Sequence, residues 1–378
     1  MPENQNLRNP ASRRSVAVLG GGVIGVSTAV HLLRSGVDVT LITEGELASG
    51  ASGRSLSWLN SAGTRSLEYH ALRMAGIDRY RTLFADDPSR EWLQFGGGVY
   101  WDNDGGAAAR NEYERAHAYD SHLVGPDTVA DFTPGLNASA LAPTSVYNPG
   151  EGWVSLPHLI GHLMAEFTRR GGVLRTNAGT ARVEVDDAGR ATGVVTPAFG
   201  TLEADAVVVA CGAHTPDVVA PLGVRIDNAS PVAMLVVTEP FEHDVKAVLN
   251  TPRAAIRPNP GNTIAVDHDW YEEHIVRDGS GYSIPEPVVG ELLAEASRLI
   301  DGEPELKAAS WKIGLKPIPG DGEPVFGELQ KVPGCFVAFT HSGATLALIA
   351  GELLADEVIT GGRHPMLATF RPERFEQN

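Results

Sequence analysis

The sequence predicts an α/β fold assembled from discontinuous pieces: an open parallel sheet flanked by helices, joined to an α+β part built on a mixed sheet. Three observations predict it. The chain opens with a strand, a glycine loop, a helix and a second strand between Val16 and Ile42. Two further apolar runs, Ala204–Ala210 (interrupted by Asp205) and Cys335–Phe339, return late in the chain with the character of buried parallel strands. Between them lie more strand-like segments than one parallel sheet accommodates.

The elements follow in order. Val16–Leu19 is a short apolar run suited to a strand buried on both faces. A helical pattern covers Val23–Leu33, and Gly36 stands where a C-terminal cap belongs. Val37–Ile42 is the next strand, completing a βαβ opening. The stretch 48–63 is rich in Gly, Ser and Ala and reads as a loop with a helix start inside it. Ser66–Phe84 reads as a helix with Leu67, His70, Met74 and Ile77 on one side, and Gly96–Trp101 as a strand entering a different sheet. An amphipathic helix is expected over Leu156–Phe167. Strands are expected over 173–176, 180–185, 193–197 and 204–210, a meander that returns to the first sheet. Strands at 229–239, 254–258 and 263–267, a helix at 288–300, a strand at 308–315, and a long apolar helix at 346–359 ended by Gly361-Gly362 complete the chain. The expected division is a lead-in over 1–14, one domain from 15–62, 150–225 and 320–378, and a second from 63–149 and 226–319.

Length and composition bound the function. The 378 residues suffice for two domains, and 43% hydrophobic content supports a sizeable core. A net charge of −17 repels nucleic acid and anionic lipid, so neither is an expected partner. No apolar run approaches the ~18 residues of a membrane span. The polar segment Met1–Ser15, with Arg8, Arg13 and Arg14, lacks the apolar core of a signal peptide and reads as a disordered lead-in. The two cysteines, Cys211 and Cys335, sit in apolar runs and read as buried thiols, which fits a reducing cytoplasm.

The chemistry begins at Gly20-Gly21-Gly22-Val23-Ile24-Gly25, a G-x-G-x-x-G between strand and helix. In this context it is a dinucleotide-binding turn. Gly20 permits the tight turn, Gly22 lets the backbone approach a pyrophosphate, and Gly25 lets helix and strand pack closely. The helix start around Val23 and Ile24 supplies free N–H groups and a favourable dipole. Glu44, about 20 residues on, suits ribose hydroxyls. The motif alone does not separate FAD from NAD. A second small-residue loop, Gly50-Ala-Ser-Gly53-Arg54-Ser55, adds N–H and hydroxyl donors near a pyrophosphate, or is an ordinary flexible loop.

Taken together, Val16–Ser55, with its LASGASGRS segment, resembles the D-amino acid oxidase, glycine oxidase and sarcosine oxidase superfamily of FAD-dependent amine oxidoreductases. Ala206–Ala213, Gly314–Gly327 and His341–Leu346 resemble further segments of that superfamily, in the right order. The resemblance implies a Rossmann-like FAD domain built from separated segments, a substrate domain with a mixed sheet over the flavin, and non-covalent FAD. It places Gly20, Gly22, Val23, Ile24, Gly25 and Glu44 at the ADP part, and Ser49, Gly50, Ser52, Gly53, Arg54 and Ser55 along pyrophosphate and flavin. Val183 is implied to offer backbone to adenine, Cys211 and Gly212 to flank the ADP moiety, and Gly343, Ala344, Thr345 and Leu346 to give N–H groups to the flavin's pyrimidine edge.

The chain departs from the family where members acting on free amino acids often carry Gly-Leu-Arg-Pro. Here the match is Gly314-Leu315-Lys316-Pro317. Lys316 is a point charge without the guanidinium fork. Lys316 and His341 are the expected catalytic groups, and Trp58, Asn60, His268 and Lys316 the expected substrate contacts. Asp267, Asp269, Tyr271 and Tyr282 are further pocket candidates. Lys312 and Lys316 flank Gly314 within reach of the ring, where a lysine favours reaction with O₂ in some relatives. His158 and His162 have an i, i+4 spacing that can hold a metal. No third ligand is evident, so packing or surface placement is the favoured reading, and no metal is expected. The expected activity is oxidation of an amine or amino acid C–N bond, with O₂ as acceptor. A dehydrogenase using a quinone or protein acceptor, an FAD-binding subunit with little activity alone, and a nicotinamide enzyme are the alternatives.

Overall fold

The computed structural model describes residues 13–279 and 281–376; the expected lead-in over 1–14 lies almost wholly outside them. Eight α-helices appear among the described residues: α1 (Val23–Arg34), α2 (Leu67–Asp86), α3 (Ala107–Ala116), α4 (Pro126–Phe132), α5 (Leu156–Arg169), α6 (Thr215–Val219), α7 (Glu286–Arg298) and α8 (Gly343–Thr360).

The opening strand, Ser15–Leu19, is the centre of a six-stranded sheet. It pairs in parallel with Asp38–Ile42 on one side and Ala206–Val209 on the other. Val173–Arg175 and Cys335–Phe339 extend it in parallel, and Val325–Glu328 closes one edge antiparallel. The period of two decides what each face meets. Val16 and Val18 point into the core that α1, α5 and α8 share, whereas Ala17 and Leu19 point into a second core with Val183, Ala191 and Val194. Those last residues belong to the antiparallel meander of Arg182–Val185, Ala191–Thr196 and Gly200–Glu203. This is a Rossmann-like sheet, covered on one side by helices and on the other by a small sheet.

The second layer system is an eight-stranded mixed sheet. Its order is Ala308–Leu315, Val232–Thr238, Thr263–Asp267, Ala255–Asn259, Val248–Asn250, Gly98–Tyr100, Ser145–Asn148 and His122–Val124. Only the junction of Val248–Asn250 with Gly98–Tyr100 is parallel. α7 packs Val289, Leu292, Leu293 and Ala296 into the core under this sheet.

α8 joins the first sheet system to α2 and to the short Trp58–Leu59 strand. It packs against α1 and α2. A Cβ on Gly351 would sit 2.3 Å from Ser27 Oγ and 2.7 Å from the Ser27 carbonyl carbon, and one on Gly76 of α2 would sit 2.3 Å from the Thr345 carbonyl oxygen. The contacts are therefore backbone to backbone.

Two expectations need correcting. α2 does not bury Leu67, which is 62% exposed; its inward face is Tyr69, Leu72, Arg73, Gly76, Ile77 and Tyr80. A helix that lines a polar site on one side turns arginine and glycine inward, which an apolar count misses. α8 begins at Gly343 and not at Leu346, because its first turn is too small-sided to register as apolar periodicity. The segment 48–63 holds a 3₁₀ turn at Ala51–Gly53 and a two-residue strand, Trp58–Leu59, paired with Gly152–Val154. Gly36 and Gly361 end α1 and α8 with φ of 80° and 69°. Cys335 is buried and Cys211 half-buried, both as free thiols.

The α1–α8 contact is testable. Gly351→Val should cost about 2–3 kcal/mol by forcing two backbones apart. Urea unfolding is the measurement.

Candidate active site

A continuous cavity of about 1210 Å³ runs from the first turn of α1 to the space between the Ala308–Leu315 strand and the start of α8. Its walls come from both sheet systems.

At the glycine end, Gly20, Gly22, Val23 and Ile24 line it. Gly20 holds φ 116° with its α-carbon against the Ala210 carbonyl, where a Cβ would lie 2.2 Å from the oxygen. Gly25 does not line the cavity; its α-carbon abuts the Gly20 carbonyl and seats the helix on the turn. α1 starts on Gly22, which has no side chain to cap it, and carries no acid in its first turn. Its positive end is thus left for an anion. Glu44 lines the wall and accepts from Thr180 Oγ1 at 2.8 Å. Cys211 and Gly212 line it too, with burial pushing the Cys211 thiol up to about 12. Val183 does not: its side chain packs in the core, and residues 179–182 form the wall instead.

Ser49, Gly50, Ser52, Arg54 and Ser55 line the middle, while Gly53 is pressed against the Ala48 carbonyl outside it. Ser52 Oγ accepts from Val23 N at 3.0 Å. Arg54 donates to Ser49 O at 3.0 Å and Leu315 O at 3.3 Å, and its Nε is buried without a partner. A Cβ on Gly314 would meet the Arg54 guanidinium carbon at 2.5 Å, so Gly314 is what lets this side chain lie against the strand.

Trp58, Asn60, His268, Lys316, His341, Gly343, Ala344 and Thr345 line the far end. Leu346 is buried behind them with Tyr69 and Leu72. Thr345 Oγ1 donates to Trp58 O at 3.2 Å, tying α8 to the Trp58–Leu59 strand. Asp267, Asp269 and Tyr282 also line this end. Tyr271 does not: it is fully buried, donating to Asp267 Oδ1 at 2.6 Å. Burial raises the Asp267 carboxyl, opposed mainly by the charge of Lys316. Burial, then Lys316, Arg73 and Arg65, lower the His341 imidazole to about 4, so it is neutral at pH 7. Lys312 projects toward the Gly53 loop, its Nζ 3.8 Å from where a Gly53 Cβ would be. His158 and His162 are elsewhere: the first bonds Ser155 Oγ at 2.8 Å and the second packs on Trp92.

Three residues were missed from sequence. Arg65 and Arg73 line the far end, and the Tyr69 ring lies between them, 5.5 and 5.4 Å from their guanidinium carbons. The i, i+4 spacing of Tyr69 and Arg73 puts those two on one face of α2, and Arg65 lies just ahead of the helix cap Ser66. Glu151, 0% exposed, stands behind the wall and accepts from Trp58 Nε1 and Tyr119 OH, each at 2.6 Å. Nothing local in the sequence marks it.

The glycine turn, the start of α1 with no acid in its first turn, and the orphaned Arg54 Nε fit a long anionic dinucleotide laid along the cavity. The family model described as FAD dependent oxidoreductase matches residues 15–357. The chain belongs to that family. It is similar to glycine oxidase of Geobacillus kaustophilus, at 26% identity over 92% of this chain and 93% of the relative. It is also similar to D-amino acid dehydrogenase of Cereibacter sphaeroides, at 34% identity over 53% of this chain and 45% of the relative. The solved structure of glycine oxidase from Geobacillus kaustophilus superposes with a TM-score of 0.79 at 21% identity, covering 96% of this chain and 99% of that one. The fold is therefore that of the glycine oxidase-like flavoenzymes, and the protein is an FAD-dependent oxidoreductase. Among the described residues, no helix is long and apolar enough to cross a membrane.

Gly20→Ala should purify with little flavin, because it adds a clash with Ala210 at a left-handed φ; absorbance near 450 nm relative to 280 nm reads this. Glu151 gives a pH prediction. Burial lifts its carboxyl to about 8. The folded state then holds a proton that the unfolded state has lost between the ordinary carboxyl range and about 8. Stability therefore falls as pH rises through that interval and levels off above it. Thermal melts should show this fall, and Glu151→Gln should flatten it.

Proposed function

We propose that this enzyme oxidises the C–N bond of an amine or amino acid to an imine, which water then hydrolyses, with O₂ as the preferred final acceptor. Supporting it most directly is the cavity itself. One continuous space joins the glycine turn to a wall made of Lys316, His341 and the first turn of α8. FAD supplies the acceptor for the hydride that leaves the carbon.

The protein's own part is to bind, orient and keep water out. Gly20, Gly22 and the start of α1 would hold the pyrophosphate, and Glu44 the ribose. Gly343, Ala344 and Thr345 sit at the positive end of α8 and would hold the edge of the ring that gains negative charge on reduction. His341, neutral at pH 7, adds a polar group without adding charge. Trp58, locked by Glu151, is a rigid apolar wall beside Asn60. Lys316 is a single positive charge facing Asp267. The substrate amine reacts neutral, and its proton leaves to solvent. Cys211, the cysteine on the cavity wall, lies at the glycine end with a buried, high-pKa thiol, which supports non-covalent FAD.

The similarity to glycine oxidase over most of the chain supports the oxidase reading. The higher identity to D-amino acid dehydrogenase over half of it supports a second reading, in which a quinone or protein carrier takes the electrons.

An anaerobic screen of D- and L-amino acids, N-methyl amino acids and cyclic imino acids should find substrates that bleach the flavin. Admitting air should then restore the colour with peroxide formation. Bleaching without peroxide selects the dehydrogenase; no bleaching by any amine sinks the proposal.

A further inference from the structure

The strand Thr263–Asp267 serves two faces. Val266 points into the core under the eight-stranded sheet, and Asp267, one residue on, lines the cavity. Its neighbours on the cavity side are small. Ala255 lies opposite Asp267, and Asn250 lies opposite Ala255. On the other side of the strand, Ala233 lies opposite Gly314. All four line the same cavity. The sheet therefore offers a floor of glycine, alanine and amide from which one carboxylate rises.

That carboxylate is fixed from behind. Oδ1 accepts from Tyr271 OH at 2.6 Å and from His268 N at 2.8 Å. The Tyr271 hydroxyl is itself held by Met234 N at 2.8 Å. Oδ2 receives no hydrogen bond from a described residue, and Lys316, whose charge acts on Asp267, forms no ion pair with it within 4.0 Å. A carboxylate with one oxygen satisfied and the other open to a cavity has acceptor capacity left for a ligand. The surroundings favour a cation as that ligand. Asp269 lines the same end, paired with His268 Nδ1 at 2.8 Å. Burial raises the Glu272 carboxyl, Lys316 opposes the rise, and Asp269 and Asp267 add to it. Three acids thus share this region with one lysine.

The cation is not the nitrogen that reacts. That nitrogen must be neutral for its carbon to release hydride, and a carboxylate beside it would hold its proton. We propose that Asp267 binds a second cationic group of the substrate, so that the enzyme favours amines carrying a further ammonium or guanidinium. This rests on the amine-oxidation reading for the reaction but not for the cation site. A cationic N–H donates to a carboxylate oxygen about twice as strongly as a neutral one, so the preference is for charge and not for size.

The test uses the holoenzyme and calorimetry with benzamidine, a cation with no oxidisable C–H beside its nitrogens, against neutral benzamide of the same shape. Wild type should bind benzamidine more tightly than benzamide. Asp267→Asn keeps an oxygen for Tyr271 and His268 but turns an amide N–H toward the cavity. It should weaken benzamidine at least ~30-fold relative to benzamide, and Asp267→Glu should recover part of the loss. Anaerobically, arginine and lysine should bleach the wild-type flavin at lower half-saturating concentrations than norleucine, and Asp267→Asn should narrow that preference at least ~10-fold. FAD content and melting temperature of Asp267→Asn should match wild type. No benzamidine binding by wild type, equal losses for the two probes, or wild-type benzamidine affinity in Asp267→Asn overturns the proposal. A shifted pH profile for flavin reduction by norleucine in Asp267→Asn overturns it too, because the carboxylate would then act on the reacting nitrogen. Flavin that no amine bleaches, together with benzamidine binding that depends on Asp267, would reject the amine reading and leave the cation site standing.

Discussion

The close seating of α8 between α1 and α2 is the constraint on which the site depends. Gly351 lets the α8 backbone meet Ser27 and Thr28 of α1, and Gly76 lets α2 meet the Thr345 carbonyl. With no side chains between the axes, small shifts of one helix are passed to the others. The positive ends of α1 and α8 open on one cavity from fixed positions. The same packing brings Ser342, at the start of α8, under Tyr69 and Arg73 of α2. Thr345 then ties this assembly to Trp58 and Asn60. The two ends of the cavity are therefore tied together through α8.

Local charge opposes the global charge. The chain carries −17 overall, but burial, and then the charges of Lys316, Arg73 and Arg65, keep the His341 imidazole neutral. Of the buried acids, Glu151 stands behind the wall and braces Trp58, whereas Asp267 lines the cavity within the field of Lys316. The negative surface repels large polyanions.

Much of this was legible in the chain. The βαβ opening, the meander back to the first sheet, the strand at 308–315 and the strand at 335–339 are all read from periodicity and glycine punctuation, because a buried strand and a turn are written in consecutive residues. The glycine turn and Glu44 were legible for the same reason, as was the departure at Lys316. The face of α2 was not. Its inward side mixes Tyr69, Arg73 and Gly76, and its purpose is visible only against α8. Tyr271 and Tyr282 look alike as sequence, yet one is core and the other lines the cavity.

The sequence by itself therefore determined the fold class, the dinucleotide turn and the superfamily, since each depends on short-range spacing and backbone chemistry. Only the tertiary structure decided which cations remain free for a ligand. Arg54, Arg65 and Arg73 are the same residue type in the sequence, and Lys316 shares only their charge. Their surroundings are set by residues far along the chain: Ser342 accepts from Arg73, Leu315 from Arg54, the charge of Lys316 acts on Asp267, and the Nε atoms of Arg54 and Arg65 are both buried without a partner.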